Sequence, residues 1–353
     1  MKAMIAMSGG VDSSVAAYLM QQKGYICAGC TMKLYDRLAE TGSREKTCCS
    51  LDDVEDARSV AVRLGMPYYV FNYTEAFHRE IIDRFVETYL LGRTPNPCID
   101  CNRCMKFGSL LEKALVLGYD KLVTGHYVRV RFEDGRYRLL KGLDPSKDQS
   151  YVLYMLTQAQ LAHLEFPLGE MTKEEVRQIA QAQGFLNAKK PDSQDICFVP
   201  DGDYARVIEE ERGAVPPPGD FTDLSGRVLG RHKGIIHYTV GQRKGLGLSF
   251  PQPMYVCRIE PESNRVVLAE ESALFSREVS VKEMSWVSGE VPAGPFRCEA
   301  KIRYRHAAKP ALAVPLEDGR LQLVFDEPQR AATPGQSAVL YDDDEVLGGG
   351  IIE

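Results

Sequence analysis

The string Met7-Ser8-Gly9-Gly10-Val11-Asp12-Ser13-Ser14 constrains this chain more than any other stretch of its sequence. It follows a short apolar run, Ala3-Met4-Ile5-Ala6. It precedes Val15, Ala16, Leu19 and Met20, which recur at helical spacing until Gly24. Strand, glycine turn and helix in that order put inward-pointing backbone N–H groups at the carboxyl end of a strand. The Ser13 and Ser14 hydroxyls add donors, and the helix adds its positive end. Such a turn is shaped for a phosphate or pyrophosphate. No G-x-x-x-x-G-K-[ST] is present, so it is not a Walker loop.

The rest of the first half keeps the same rhythm. Ile26 to Met32 reads as a strand, and Asp52 with Glu55 as a capping box opening a helix that ends near Gly65. Tyr68 to Phe71 reads as a third strand. Phe77, Ile81, Ile82, Phe85 and Tyr89 mark an amphipathic helix ending at Gly92. Two prolines keep Arg93–Pro97 out of any helix interior. Phe107, Leu110, Leu111 and Ala114 give a further helix, and Leu122-Val123-Thr124 a further strand. Alternation of this kind predicts an α/β domain with a doubly wound parallel sheet. After Val128 apolar residues alternate with arginine, and Asp134-Gly135 turns the chain back as a hairpin. Thr172 with Glu175 caps one more helix. Val215-Pro216-Pro217-Pro218-Gly219 is the best linker candidate, and short apolar runs beyond it predict an all-β second half.

With 353 residues, 44% hydrophobic and 26% charged, the chain has room for two or three cores and is neither disordered nor fibrous. No apolar run approaches the ~20 residues of a membrane span. The early glycine pair also leaves no room for a signal-peptide core, so a cytoplasmic location is expected. The net charge of −6 gives no support for a small basic nucleic-acid module. Two local stretches run against it: Arg227 to Ile259 has six Lys/Arg, and Lys301 to Pro310 has four, with no acid in either. Each is a solvated face or a phosphate-tracking surface. Among the ten cysteines, Cys27, Cys30, Cys257 and Cys298 read as small buried hydrophobes, and Cys48-Cys49 as part of a surface loop. Cys98, Cys101 and Cys104 follow a proline-stiffened loop and precede a helix. A thiol there, with Arg103 and Lys106 close in sequence, is expected to have a useful thiolate fraction.

The Ser8–Ser14 string resembles the pyrophosphate loop of enzymes that adenylate a carbonyl or amide oxygen with ATP. GMP synthetase, argininosuccinate synthetase and the tRNA thiolation enzymes are examples. Two further segments, Asn96-Pro97-Cys98-Ile99-Asp100-Cys101-Asn102-Arg103-Cys104-Met105-Lys106-Phe107 and Asp192-Ser193-Gln194-Asp195-Ile196-Cys197-Phe198, resemble those of the tRNA-specific 2-thiouridylase family. The likeness continues through Thr124–Tyr127, Lys147–Tyr151, His237–Arg243, Arg303–Arg305 and Pro334–Gln336. It implies a PP-loop ATP-pyrophosphatase domain over 1–205, a small mostly-β central domain over 206–275 and a β-barrel-like domain over 276–353.

By the same resemblance, ATP is held by Ala6, Met7, Ser8, Gly9, Gly10, Val11, Asp12, Ser13, Met32 and Gly125, with Asp12 suited to Mg²⁺. Cys101 is the nucleophile and Cys197 carries a persulfide. Asn96, Pro97 and Cys98 lie near the target base. His126, Lys147, Asp148, Gln149, Arg303, Tyr304 and Gln336 are the remaining tRNA contacts. The substrate implied is the wobble uridine of the tRNAs for Lys, Glu and Gln, and the partners are tRNA and a sulfur-donor protein. Adenylation turns the C2 oxygen into a leaving group, and the Cys197 persulfide attacks C2. Cys101 then cleaves the remaining S–S bond, leaving a Cys101–Cys197 disulfide.

Cys98 departs from the family, which often has Asp there; Asp100 is the nearest carboxylate. The spacing of Cys98, Cys101 and Cys104 also fits iron–sulfur ligation, so a cluster on Cys98, Cys101 and Cys197 is a second route for sulfur. Zinc is disfavoured, since no neighbouring His completes a tetrahedron, and no metal site is assigned. Two other classes stay open: a PP-loop ligase or amidating enzyme for small molecules, and a tRNA-binding protein with a relic loop.

Overall fold

The computed structural model describes residues 1–35, 51–191, 196–199 and 201–353. The Cys48-Cys49 pair and Asp192–Asp195 lie outside them. The N-terminal part is built on a five-stranded, all-parallel sheet. In chain order its strands are β1 (Lys2–Ala6), β2 (Ile26–Lys33), β3 (Tyr68–Asn72), β4 (Lys121–Val123) and β7 (Leu164–Glu165), and in space they run β3-β2-β1-β4-β7. The order reverses at β1, whose neighbours are β2 and β4, so the crevice between the carboxyl ends of β1 and β4 is where such a sheet binds ligands. Helix α1 (Val11–Gln22) buries Val15, Ala16, Ala17 and Met20 on one side of the sheet. The opposite core holds Phe77, Phe85, Phe107 and Tyr154.

Several boundaries differ from the sequence reading. Helix α2 runs Leu51–Arg63, so Asp52 lies inside its first turn and the expected capping box does not form. Thr172 and Glu175 do form theirs, with both reciprocal hydrogen bonds. Asp134 and Gly135 both take positive φ, 53° and 78°, the paired left-handed geometry of a tight hairpin between β5 (Val128–Glu133) and β6 (Arg136–Lys141). Cys257 is only half-buried, whereas Cys27, Cys30 and Cys298 are buried as expected. Burial pushes these three thiols up, to about 11, 12 and 12 respectively.

Beyond residue 215 the described chain is β-structure with short helical turns. Four strands between Gly219 and Ala269 form one small sheet. Six more, from Phe275 to Ile352, form an antiparallel barrel closed by pairing of Phe275–Trp286 with Glu345–Ile352. The β5–β6 hairpin reaches across to this barrel through Leu140 opposite Glu345. Arg303 adds a second tie: its guanidinium donates to the carbonyls of Val240 (3.0 Å) and Ala331 (3.1 Å) and to the Thr333 hydroxyl. Among the described residues, no helix is long and apolar enough to cross a membrane.

Candidate active site

The pyrophosphate loop is held from several directions. Gly9 has φ +74°, and a Cβ there would run into the Asp53 carbonyl, so only glycine fits. Gly10 caps α1 in extended conformation with no side-chain oxygen, which leaves the first-turn N–H groups of the helix uncapped. The Ser13 hydroxyl donates to the Gly10 carbonyl at 3.1 Å and accepts from the Ser8 N–H at 3.3 Å. A Cβ on Gly125, just past β4, would lie 2.9 Å from the Asp12 carbon and the Ser13 nitrogen. Loop and strand end therefore meet at backbone distance. This cradle fits a pyrophosphate group, with Ser8 to Ser13 as its floor. Met32 is buried at the end of β2, and Ala6 half-buried at the end of β1.

Asp12 has partners the sequence did not suggest. Its carboxylate accepts from Lys173 Nζ at 2.7 and 2.9 Å and from the Tyr127 hydroxyl at 2.8 Å. A cation thus already stands beside the residue read as a magnesium ligand. Asn187 Nδ2 donates to the Gly9 carbonyl and the Ser14 hydroxyl, both at 2.9 Å. Lys190 Nζ lies 2.6 Å from both Asp53 and Asp56. Lys173 and Asn187 lie 161 and 178 residues from their partners in the loop, and Lys190 lies 137 and 134 residues from Asp53 and Asp56; no local pattern marks them. The Thr172–Glu175 capping box, which fixes where the Lys173 helix begins, was the nearest signal.

The cysteine-bearing helix runs over residues 97–116. Pro97 takes its first position after an extended Asn96. From Cys101 to Leu110 the turns widen to i→i+5 spacing. The widening brings the Arg103 carbonyl to 2.9 Å from where a Gly108 Cβ would be, which explains a glycine inside a helix. Wide turns of this type recur at functional sites. Cys101 is half-buried and Cys98 exposed. Cys197, 96 positions after Cys101, is also half-buried, and both border the same hydrophobic core. Phe198 anchors the second cysteine by edge contacts with Phe77 (5.9 Å) and Phe85 (5.1 Å).

Two other expectations change. Asp100, the nearest carboxylate in sequence to position 98, is buried. With Asn96, Ile99 and Arg103 it lines a cavity that Cys98 and Cys101 do not border. Burial raises its pKa against the pull of Arg84 and Arg103. Burial likewise raises the Cys104 thiol, with Asp100 and Glu80 adding to the effect. Among the described residues, no three His, Cys, Asp or Glu side chains are gathered as a metal site. Cys98, Cys101 and Cys197 therefore do not form a ready cluster cage here.

The residues carried over as RNA contacts divide into two sets. Asp148 accepts from the Gly142 and Ser150 N–H groups and the Ser150 hydroxyl, and Gln149 from the Tyr127 N–H. Gln336 Nε2 donates to the carbonyls of Thr94 (2.9 Å) and Pro95 (3.1 Å), fixing the loop that leads into Asn96 and Cys98. These side chains build the scaffold. His126 is buried and bonded to Thr124 at 2.7 Å; desolvation and then Lys106 hold its pKa well below the ordinary 6.5. The second set, Tyr304 together with Asp148 again, opens on a cleft of about 530 Å³ that Lys141, Ser146, Lys301, Arg305 and Tyr341 also line. Lys147 is a near neighbour in sequence. Lys301 sits 5.5 Å over the Tyr304 ring, and Lys141 4.6 Å over Tyr341. Burial raises the Tyr304 phenol, and the negative charge of Asp148 raises it further. The stretch around 227–259 is less basic than it read: Arg227, Arg231 and Arg258 pair with Asp223, Asp220 and Glu260.

Three family models match in order. A tRNA methyl transferase HUP domain covers residues 1–201, a tRNA methyl transferase PRC-barrel domain 206–270, and an aminomethyltransferase beta-barrel domain 276–352. Among curated relatives, the tRNA-specific 2-thiouridylase MnmA of Acetivibrio thermocellus is 51% identical over 355 residues, covering 100% of this chain and 99% of the relative. The protein of the same name from Carboxydothermus hydrogenoformans is 51% identical, covering 100% and 97%. That from Magnetococcus marinus is 48% identical, covering 99% and 98%.

Proposed function

This chain belongs to the tRNA-specific 2-thiouridylase family, and on that premise we propose that it is a tRNA sulfurtransferase that thiolates the wobble uridine at C2, using ATP. Two features support the reading together: the glycine cradle at the β1–β4 switch point, and Cys101 and Cys197, far apart in sequence yet bordering one hydrophobic core. A small-molecule ligase of the same loop family has no use for Cys101 and Cys197, nor for a cleft lined by lysines and tyrosines. A relic loop would not need a glycine held at positive φ against Asp53. The family-model descriptions speak of methyl transfer and the relatives' names of thiolation; the cysteine pair favours thiolation.

In the proposed sequence ATP lies with its phosphates on Ser8–Ser13, where a magnesium ion, if bound near Asp12, would help neutralise the phosphate charge. The uracil C2 oxygen attacks the α-phosphorus and pyrophosphate leaves, its growing charge met by the loop N–H groups. The terminal sulfur of a Cys197 persulfide attacks C2 and AMP departs with the oxygen. The Cys101 thiolate then attacks the Cys197 sulfur, which frees the thiouridine sulfur and joins the two cysteines. A thiol reductant resets the pair. The target base must leave its stack, and Tyr304 with Lys301 offers an aromatic and cationic surface for RNA.

The test is a set of three variants. Cys101→Ser and Cys197→Ser should still release pyrophosphate with transcript tRNA and ATP, yet form no 2-thiouridine. Cys197→Ser should also accept no labelled sulfur from a persulfide donor. Cys98→Ala, purified without oxygen, should keep a sizeable part of wild-type thiolation. Loss of all activity in Cys98→Ala together with loss of bound iron would replace the persulfide route by a cluster route. Thiolation by Cys197→Ser would overturn the roles of both cysteines.

A further inference from the structure

On the far side of the cysteine helix lies a second cavity, of about 170 Å³, between the 83–90 helix, the start of the 97–116 helix and the barrel. Four cationic side chains line it, Arg84, Arg93, Arg103 and Lys282, against two carboxylates, Asp100 and Glu283. The carboxylates are already committed. Arg84 is shared between Asp100 at 3.5 Å and Glu283 at 3.6 Å, and Lys282 lies 3.4 Å from Glu283. Among the described residues, the guanidiniums of Arg93 and Arg103 have no hydrogen-bond or ion-pair partner, although both side chains are half-buried. Gathering four cations in a partly desolvated space against two carboxylates is unfavourable, since the guanidiniums repel one another and lose water. Glu283 carries a strained backbone, φ +52° at a bulge in its strand, so its place at the cavity mouth is imposed by the fold.

We propose that this cavity is a binding site for one phosphate-class oxyanion, held by Arg93 and Arg103, with Arg84 and Lys282 behind them. Its size suits a single tetrahedral anion and excludes a nucleotide. Forked guanidinium donors match phosphate oxygens in pairs. The Arg93–Asn96 loop on its rim leads directly into the cysteine helix, so the anion would fix the start of that helix from behind. Two sources have this chemistry: a free phosphate ion, and a phosphodiester of bound RNA. The second rests on the tRNA reading above; the first does not.

The experiment titrates inorganic phosphate into the full chain by calorimetry, with a non-hydrolysable ATP analogue filling the nucleotide loop. In parallel, tRNA binding is measured against salt. Arg93→Gln and Arg103→Gln should each weaken phosphate about tenfold, and Arg103→Lys should recover part of the loss. Glu283→Gln, which removes a competing carboxylate, should tighten it. That pattern identifies a free-ion site. If phosphate alone does not bind but the two glutamine variants lower the salt slope of tRNA binding by about 0.7–0.9 each, the anion is an RNA phosphodiester. If the wild type binds no tRNA, the thiolation reading fails and the phosphate isotherm alone decides. Should Arg103→Gln not fold, Glu283→Gln and Arg103→Lys carry the comparison. Unchanged isotherms and unchanged salt slopes in all variants would overturn the site.

Discussion

Replacing Lys173 by Met tests how the nucleotide loop is held. The ammonium is almost enclosed, with 11% of its side chain exposed, and the Asp12 carboxylate is 30% exposed. Stranding one partner of a fully buried pair costs roughly 3–5 kcal/mol, and losing an exposed pair about 0–1 kcal/mol. Asp12 keeps the Tyr127 hydroxyl and some water, so we expect an intermediate cost of about 2 kcal/mol. For a domain of this size that lowers the melting temperature by roughly 4–8 °C. A second consequence is functional. An uncancelled carboxylate at the mouth of the cradle repels the phosphates, so ATP should bind more weakly to Lys173→Met, most clearly at low salt. The decisive measurement is the double variant Asp12→Asn/Lys173→Met, followed by urea and thermal unfolding. If charge cancellation is the role of Lys173, the double variant is more stable than Lys173→Met alone. A double variant that unfolds no later than the single one refutes the reasoning, because the loss would then come from packing.

Two further outcomes follow from the site. Arg303→Ala should destabilise the chain by about 2 kcal/mol, since two carbonyls and a hydroxyl lose a charged donor. Lys301→Ala should instead leave the melting temperature nearly unchanged while weakening tRNA binding broadly and flattening its salt slope, with ATP affinity intact; equal slopes in variant and wild type would refute that. His126 predicts a pH effect. Its folded pKa is depressed, so below pH 6.5 the unfolded chain binds a proton that the folded chain refuses, and stability falls as pH drops. His126→Gln should flatten this slope in unfolding series between pH 5 and 8; an unchanged slope would assign it to other groups.

What the sequence determined by itself is what short-range physics encodes. Ser8–Ser14 after an apolar strand fixed the phosphate cradle, because a glycine turn feeding a helix needs only its own backbone to present N–H groups. Asp134-Gly135 fixed a hairpin, and Thr172 with Glu175 fixed a helix start, each through contacts within four residues. The helix of Phe107, Leu110, Leu111 and Ala114 was legible from their spacing, but its start at Pro97 was not. What only the tertiary structure decided lies in pairs with no local trace. The two-residue edge strand Leu164–Glu165 exists because β4 offers it a partner, and the barrel closes because the 275–286 and 345–352 strands meet. Asp12 was legible as a helix-start carboxylate, but its cation came from a lysine 161 residues away. Arg303 was legible as a cation in a basic stretch, but its bonds to Val240, Ala331 and Thr333, which tie the central part to the barrel, exist only in the fold. A periodic pattern tells which face of an element is apolar; which polar groups end up facing each other across that core depends on how the elements pack, and a single sequence carries no local record of it.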